Sequence, residues 1–258
     1  MSWNVWWRFG GDWRARHRGQ LRLLEEVRPD LVGIQECWGT AGGTQADAFA
    51  EVLGAHAAFV KVGLPPEPEP RETPDQEGVV MGLGLVSRWP IAEVVAAPMP
   101  SAGRDLSALV ATVAHPLGAV RVVVGVTSWE PEREPETAAQ VAELQRLVVA
   151  GADDRDPPSL LLADLNYDRS QAPLAALRLE DAWDAADAGA DERTLSSTNR
   201  FAPPEAEAQY DRRIDHVLFR QGRAGARAAN AFIVRSEPGG LPPSDHYPLV
   251  ADIGWPAG

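Results

Sequence analysis

The chain has 258 residues, 45% hydrophobic and 24% charged, a balance that suits a single globular domain spanning 1–258 with a sizeable core. No apolar run reaches the roughly 18 residues of a membrane-spanning helix, so no membrane insertion is expected. The lone cysteine, Cys37, excludes an internal disulfide or a cysteine-rich zinc site, and the net charge of −13 weighs against a general nucleic-acid binder, which needs many phosphate-contacting Lys and Arg.

The N-terminal stretch Met1–Arg8 lacks a basic segment followed by an apolar core. It does not read as a secretory signal, and the expected compartment is the cytoplasm. Asn4 ends a first, short strand. Residues 16–27 carry helical periodicity with Leu21, Leu24 and Val27 on one side, and 45–53 form a second, short helix. Between them, 31–35 is an apolar strand. Residues 63–77 are rich in Pro and Glu and are expected to form a mobile surface loop, either a solvated connection or a flap over a site.

The middle of the chain is a succession of strands at 79–87, 91–97, 106–114 and 120–127, punctuated by Trp89-Pro90 and a hairpin turn at 115–118. The longest helix follows at 135–150, with Val141, Leu144 and Val148 on a common face. Strands at 160–163, 214–220, 228–234 and 249–253 complete the chain. Helices alternate with strands early, and strands run together later. That order predicts two packed sheets flanked by helices rather than a doubly wound parallel sheet.

Polar residues recur where apolar strands end: Asn4, Glu36, Asp164 with Asn166, Asp215, and Asp245 with His246. Any one of these could be a turn former or cap. A carboxylate at such a place is costly unless it meets a cation or strong donors. Together, with one histidine and two amides, they suit a hard-oxygen metal site with a proton-transfer group.

In order, Ser2-Trp-Asn4-Val, Leu31-Val-Gly-Ile-Gln-Glu36, Gly84-Leu-Val-Ser87-Arg-Trp-Pro90-Ile, Ala163-Asp164-Leu-Asn166, Arg213-Ile-Asp215-His-Val and Ser244-Asp245-His246 resemble the successive signatures of the endonuclease/exonuclease/phosphatase (DNase I-like) superfamily. The Asp-x-Asn motif and the terminal Ser-Asp-His are its most recognisable pieces, and the resemblance extends from about residue 2 to residue 253. It implies an α/β (α+β) four-layer sandwich and Mg²⁺-dependent hydrolysis of a phosphate ester, with Mn²⁺ an acceptable substitute. It further implies that Glu36 with Asn4 holds the metal and that Asp245 completes the metal-side hydrogen bonds or a second metal position. Asp164 and Asn166 would orient the attacking water, with Asp164 taking its proton. His246 would contact the phosphate, and Asp215 would orient the imidazole.

The pattern breaks after the strand at 120–127, where many members carry a second histidine in a Thr-His-Leu-like segment. Here the stretch reads Val124-Gly-Val-Thr127-Ser128-Trp129, and either Ser128 or Val126 takes that position. Loss of a general acid typically costs about 10²–10⁴ in rate. A good leaving group, or Ser128 as a neutral donor, could compensate.

Further candidates stand close by. Arg8, after the adjacent Trp6 and Trp7, could reach phosphate, and Trp129 could form part of the rim. Arg213 is expected to brace its neighbours, and His216 to point away from Asp215 into the core. His17, His56 and His115 read as surface or turn residues, and Cys37 as a small buried hydrophobe. The leading expectation is hydrolysis of a small phosphorylated molecule, a diester or a monoester. Nuclease activity on DNA or RNA is the alternative, and a catalytically silent phosphate-binding module the third.

Overall fold

The computed structural model describes residues 1–62, 72–150, 158–223 and 225–255. In chain order the elements are β1 (Ser2–Asn4), α1 (Trp13–Val27), β2 (Leu31–Thr40), β3 (Gly43–Thr44), α2 (Gln45–Leu53), β4 (His56–Lys61) and β5 (Val80–Ser87). There follow β6 (Ile91–Pro98), β7 (Ser107–His115), β8 (Gly118–Val126), α3 (Glu134–Val149), β9 (Ser159–Asp164) and β10 (Glu180–Asp181). The chain closes with α4 (Ala182–Ala185), β11 (Asp215–Arg220), β12 (Arg227–Ile233) and β13 (Leu249–Gly254). The expected run of strands is present; β3, β4, β10 and α4 are additions. Among the described residues no helix is long and apolar enough to cross a membrane.

One sheet has the order β12-β13-β1-β2-β5-β4, with β3 beside β2; the other runs β10-β11-β9-β8-β7-β6. Each is mixed, with a single parallel pair, β1–β2 in the first and β8–β9 in the second. Their inner faces meet closely at Gly33, where a Cβ would lie 2.4 Å from the Cβ of Leu162. Gln35 crosses the same interface, donating from Nε2 to Leu162 O at 3.0 Å.

Strand alternation then assigns the faces. Leu160, Leu162 and Asp164 of β9 share the inner face, as do their cross-strand neighbours Val122, Val124 and Val126 of β8. The intervening Gly125 faces outward, where a Cβ would lie 2.6 Å from Leu144 of α3. Helix α3 therefore covers this sheet, with Val141, Leu144 and Val148 buried along the stripe read from the sequence. On the opposite side α1 and α2 cover the first sheet, packing Leu23, Leu24, Ala46 and Phe49 on Trp3, Val32, Ile34 and Val86. The result is four layers: helices, sheet, sheet, helix.

Helix α2 has a Thr44–Asp47 capping box and ends on left-handed Gly54, which explains its short, sharp limits. Helix α1 starts a turn earlier than its apolar spacing indicates. Its fully buried face is Trp13, Arg16, Gly19, Gln20, Leu23 and Leu24, while Leu21 and Val27 are only partly buried. Two long polar residues on that face, Arg16 and Gln20, both find carbonyl partners inside.

Candidate active site

The chemistry-bearing side chains converge at one end of the two sheets, because β1, β2 and β9 all run toward it and β11 and β13 start from it. Asn4 closes β1, Asp164 closes β9, and Asp215 opens β11 directly opposite Asp164 in the antiparallel ladder. Glu36 gets there by a different device. By simple alternation it would face the opposite side from Gln35, into the helical layer. A bulge between Ile34 and Cys37, with Glu36 at φ 54, adds one residue and inverts the alternation. Glu36 thus turns into the cleft and Cys37 turns outward into the apolar layer under α2, where it is fully buried. Burial raises the Cys37 thiol far above its ordinary range.

Asn4 joins the two halves of the site. Its Nδ2 donates to Glu36 Oε1 and to Asp164 Oδ2, both at 3.0 Å, while its Oδ1 accepts from Trp6 N at 2.9 Å. Asp164 Oδ1 accepts from the backbone N of Asn166 at 3.0 Å, and Asn166 itself is left-handed at φ 56 with Nδ2 donating to Thr127 O. On the other flank His246 Nδ1 donates to Asp215 Oδ2 at 2.8 Å. Ser244 donates to Asn4 O at 2.8 Å and to Asp245 Oδ1 at 3.1 Å, which locks the last motif to the first strand.

Charge is poorly balanced here. Burial raises the Glu36 carboxyl to about 7, with Asp245 adding to the effect and the Asn4 amide opposing it. Burial also raises Asp164 to about 6, reinforced by Asp215. Asp245 is raised by burial against the pull of His246 and Arg16. For His246 burial favours the neutral ring, yet Asp215 and Asp245 outweigh it and hold the imidazolium well above its usual range. Within this cluster the buried carboxylate oxygens Glu36 Oε2 and Asp215 Oδ1 have no hydrogen-bond partner, nor has Glu130 Oε2 in the cleft wall.

Orphaned carboxylate oxygens among like-charged neighbours are what a hard divalent cation satisfies, so the donor set fits one. Asp164, Asp215 and His246 also bring one ligand atom each within 4.8 Å of one another. An ion using His246 Nδ1 and Asp215 Oδ2, however, would break the hydrogen bond between them. Glu36 offers Oε2 without any such rupture.

The cleft around this cluster has a volume of about 520 Å³. Val126, the last residue of β8, lines it as its register opposite Asp164 dictates, and Ser128 does not. Ser128 is fully buried behind, donating to Glu136 Oε1 at 2.9 Å and bonded on both sides to Gln140, so its hydroxyl is turned away from the cleft. Arg8 is likewise committed elsewhere: its guanidinium lies 4.1 Å from the Trp13 ring and 4.6 Å from that of Trp38, and it donates to Asp75 O. Trp129 does line the cleft and is 42% exposed. Trp6 forms part of the wall while Trp7 is buried; both lie beyond β1 in left-handed backbone, at φ 56 and φ 24, so a turn rather than strand alternation separates them.

Of the biased segment 63–77, residues 63–71 lie outside the described residues. The remainder is an anchored turn rather than a mobile loop. Gln76 is fully buried and donates to Arg8 O, Asp75 accepts from Trp13 Nε1, and Glu72 lines the cleft. His17 is also not a surface residue; it stacks on Phe49 with ring centroids 5.9 Å apart. His56 is exposed, and His115 closes its turn by accepting from Leu117 N.

Several supporting residues had no sequence signal. Arg16, 1% exposed, sits beneath the site and donates to the carbonyls of Val5, Trp6 and Phe9, pinning the left-handed Trp6 and Trp7. Burial lowers this arginine to about 10 despite Asp245 and Glu36. Thr194 Oγ1 accepts from the backbone N of Ile214 and Asp215, and Asn199 Nδ2 donates to the carbonyls of Ser244 and Asp245. Thr194 and Asn199 are ordinary polar residues in the long connection between α4 and β11, and only the returning chain gives them a task.

A four-layer sandwich with an acidic cluster, an Asp-x-Asn turn and an Asp–His pair at one end of its sheets defines a DNase I-like phosphoester hydrolase. The model of the Endonuclease/Exonuclease/phosphatase family matches residues 1–246, and the chain belongs to that family, whose members are metal-dependent hydrolases of phosphoester bonds. No curated protein sequence matches the chain. Among solved structures it is similar to humanized D. rerio TDP2, with TM-score 0.75, 16% identity, and 98% of this chain and 97% of the other covered. It is also similar to an endonuclease/exonuclease/phosphatase from Beutenbergia cavernae, with TM-score 0.68, 25% identity, and 93% and 66% covered. The human Nocturnin catalytic domain, solved with bound sulfate, gives TM-score 0.71 at 17% identity, with 99% and 92% covered.

Proposed function

We propose that the chain is a Mg²⁺-dependent hydrolase of a small phosphodiester or phosphomonoester. The observation that carries this reading is the buried, cation-deficient carboxylate cluster: Glu36, Asp164 and Asp245 with raised protonation and an orphaned Glu36 oxygen. Glu36 and Asp245 would hold the ion, with Asn4 orienting Glu36 through its amide. Once bound, Mg²⁺ supplies positive charge to offset the charge that builds on the phosphate oxygens.

The chain's own residues divide the remaining work. Asp164 accepts the proton of the attacking water, and the Asn166 turn fixes the geometry of its carboxylate. His246, kept charged by Asp215, donates to a phosphate oxygen. The small-molecule reading over a nuclease rests on the cleft's charge. Among its described lining residues Glu36, Glu72, Glu130, Asp164 and Asp245 face only two cationic groups, Arg104 and His246, and Arg104 is already ion-paired with Glu130. A nucleic-acid strand needs several phosphate-neutralising contacts that this lining does not offer.

The test is Mg²⁺-dependent release of p-nitrophenol from bis-p-nitrophenyl phosphate and from p-nitrophenyl phosphate. Turnover abolished by EDTA and by Asp164→Ala supports the proposal, and the faster substrate separates diesterase from monoesterase. A folded wild-type protein inert with both Mg²⁺ and Mn²⁺ would refute it.

A further inference from the structure

We infer that a groove at the far end of the second sheet binds a small phosphate monoester, held by Arg178, Arg220 and Arg223 and separate from the active site. The groove lies between the last turn of α3, β10 and the end of β11, and its volume is about 840 Å³. Strand β11 opens at Asp215 in the cleft and closes at Arg220 in the groove. Five steps of strand set the two roughly 17 Å apart, so one phosphate cannot serve both.

The charge of this groove is the inverse of the cleft's. In a chain of net charge −13, three guanidiniums line it against one carboxylate, Glu180. Among the described residues no carboxylate forms an ion pair with any of the three. Glu180 is engaged with Gln221, whose Nε2 donates to its Oε1 at 2.5 Å. Three cations against one anion leave two positive charges. That matches a phosphate monoester, at about −1.5 to −2 near neutral pH, better than a single carboxylate. The acidic surface around the groove repels a chain of further phosphates.

Arg220 is the centre of the site. Its Nε and Nη2 are withdrawn from solvent and meet no acceptor. These two nitrogens form one edge of the guanidinium, the fork that takes two oxygens of the same phosphate. A stranded pair of charged donors destabilises a fold until a partner satisfies it. The neighbouring helix end gives Arg220 no partner; there the carbonyl of Leu147 is paired with Arg121 Nε at 2.7 Å. Rotation about the outer torsions of this long side chain turns the fork into the groove that it lines.

The other donors are placed to help. Gln145 Oε1 accepts from Arg178 N at 2.5 Å, which leaves the Gln145 amide N–H groups to donate. Arg178 spends only Nη1 internally, on the carbonyls of Ala175 and Leu177. The organic part of the ligand meets an apolar wall of Leu179, Phe219 and Val149, of which Val149 stays 42% exposed.

The experiment titrates the full chain, with Mg²⁺ present, with phenylphosphonate, whose carbon–phosphorus bond keeps it intact. The readout is the arginine Nε–H region of ¹H–¹⁵N spectra, with the Arg220 signal assigned by its disappearance in Arg220→Leu. The expected result is a saturable shift of that signal, kept in His246→Ala, with benzenesulfonate at least about tenfold weaker because it carries one charge. Arg178→Ala should weaken the probe about tenfold, as loss of a charge-assisted contact predicts. Without probe, Arg220→Leu should melt about 2–4 °C above wild type, and it should lose the probe-induced rise in Tm. An Arg220 signal that does not move, benzenesulfonate bound as tightly as phenylphosphonate, or an Arg220→Leu variant that melts lower than wild type would each overturn the inference. None of these measurements uses turnover, so their outcome is separate from that of the hydrolase reading.

Discussion

Two buried ionic clusters lie back to back on the same strand segment, and they are built on opposite principles. On one face Arg213, 3% exposed, donates to Glu192, Asp181 and Asp184, and contacts His216, whose Nε2 donates to Tyr167 O at 3.0 Å. Burial works against the Asp181 carboxylate, yet His216 and Arg213 hold it well below its ordinary range. Two residues along, Asp215 belongs to the cleft cluster, where Glu36, Asp164 and Asp245 are raised and the oxygens Asp215 Oδ1 and Glu36 Oε2 are orphaned. A charge-satisfied network is scaffold. A cluster left short of positive charge is stable only at a cost, and it gains most when a cation binds.

The largest expected effect tests the cleft side. Asp164→Asn should lower kcat by about 10²–10⁴ with the fold retained, measured by p-nitrophenyl ester hydrolysis beside circular dichroism. In the wild type, kcat/KM should rise with pH through about 6, as Asp164 loses its proton, with bound cation drawing that limb lower. On the scaffold side, Arg213→Met should cost about 3–5 kcal/mol in urea unfolding by stranding Asp181, with far less effect on kcat of the folded fraction. Equal losses of activity from both substitutions would erase the distinction.

A test of the shared framework comes next. Gly33→Ala drives a methyl into Leu162 between the sheets and should cost about 1–3 kcal/mol, read by the same unfolding curves. The smallest effect is also the most diagnostic. Glu36 is raised above its unfolded value, so the folded state binds the extra proton between the two. Its contribution to stability is therefore lost as pH rises from about 4.5 through about 7. Metal-free Glu36→Gln should consequently melt about 2–4 °C above wild type at pH 8 but not at pH 4, and should lose the Mg²⁺-induced rise in Tm. A variant that melts lower at pH 8 would show the Glu36 carboxylate to be satisfied without a cation.

Much of this was legible because it depends on local pattern. The apolar runs at 106–114, 120–127 and 160–163 mark buried strands directly, and the stripe Val141, Leu144, Val148 encodes the helix that covers them. The motif residues Asn4, Asp164, Asp215 and His246 could be named because each stands at or near one end of an apolar strand. Missed elements such as β4 and β10 are strands whose identity comes from a partner: His56–Lys61 is largely exposed or half-buried and is held by β5.

What the sequence by itself determined is therefore most of the longer elements, the family and the inventory of reactive groups, since periodicity and motif order are local properties. Only the tertiary structure decided where long side chains end. A bulge turned Glu36 inward, against simple alternation. Arg8 went to a pair of indoles and Ser128 to a helix, leaving Val126 and Trp129 at the cleft. The physical reason is that a side chain's partner is chosen by what other strands bring within about 3 Å of it, and that depends on register and packing across the whole chain.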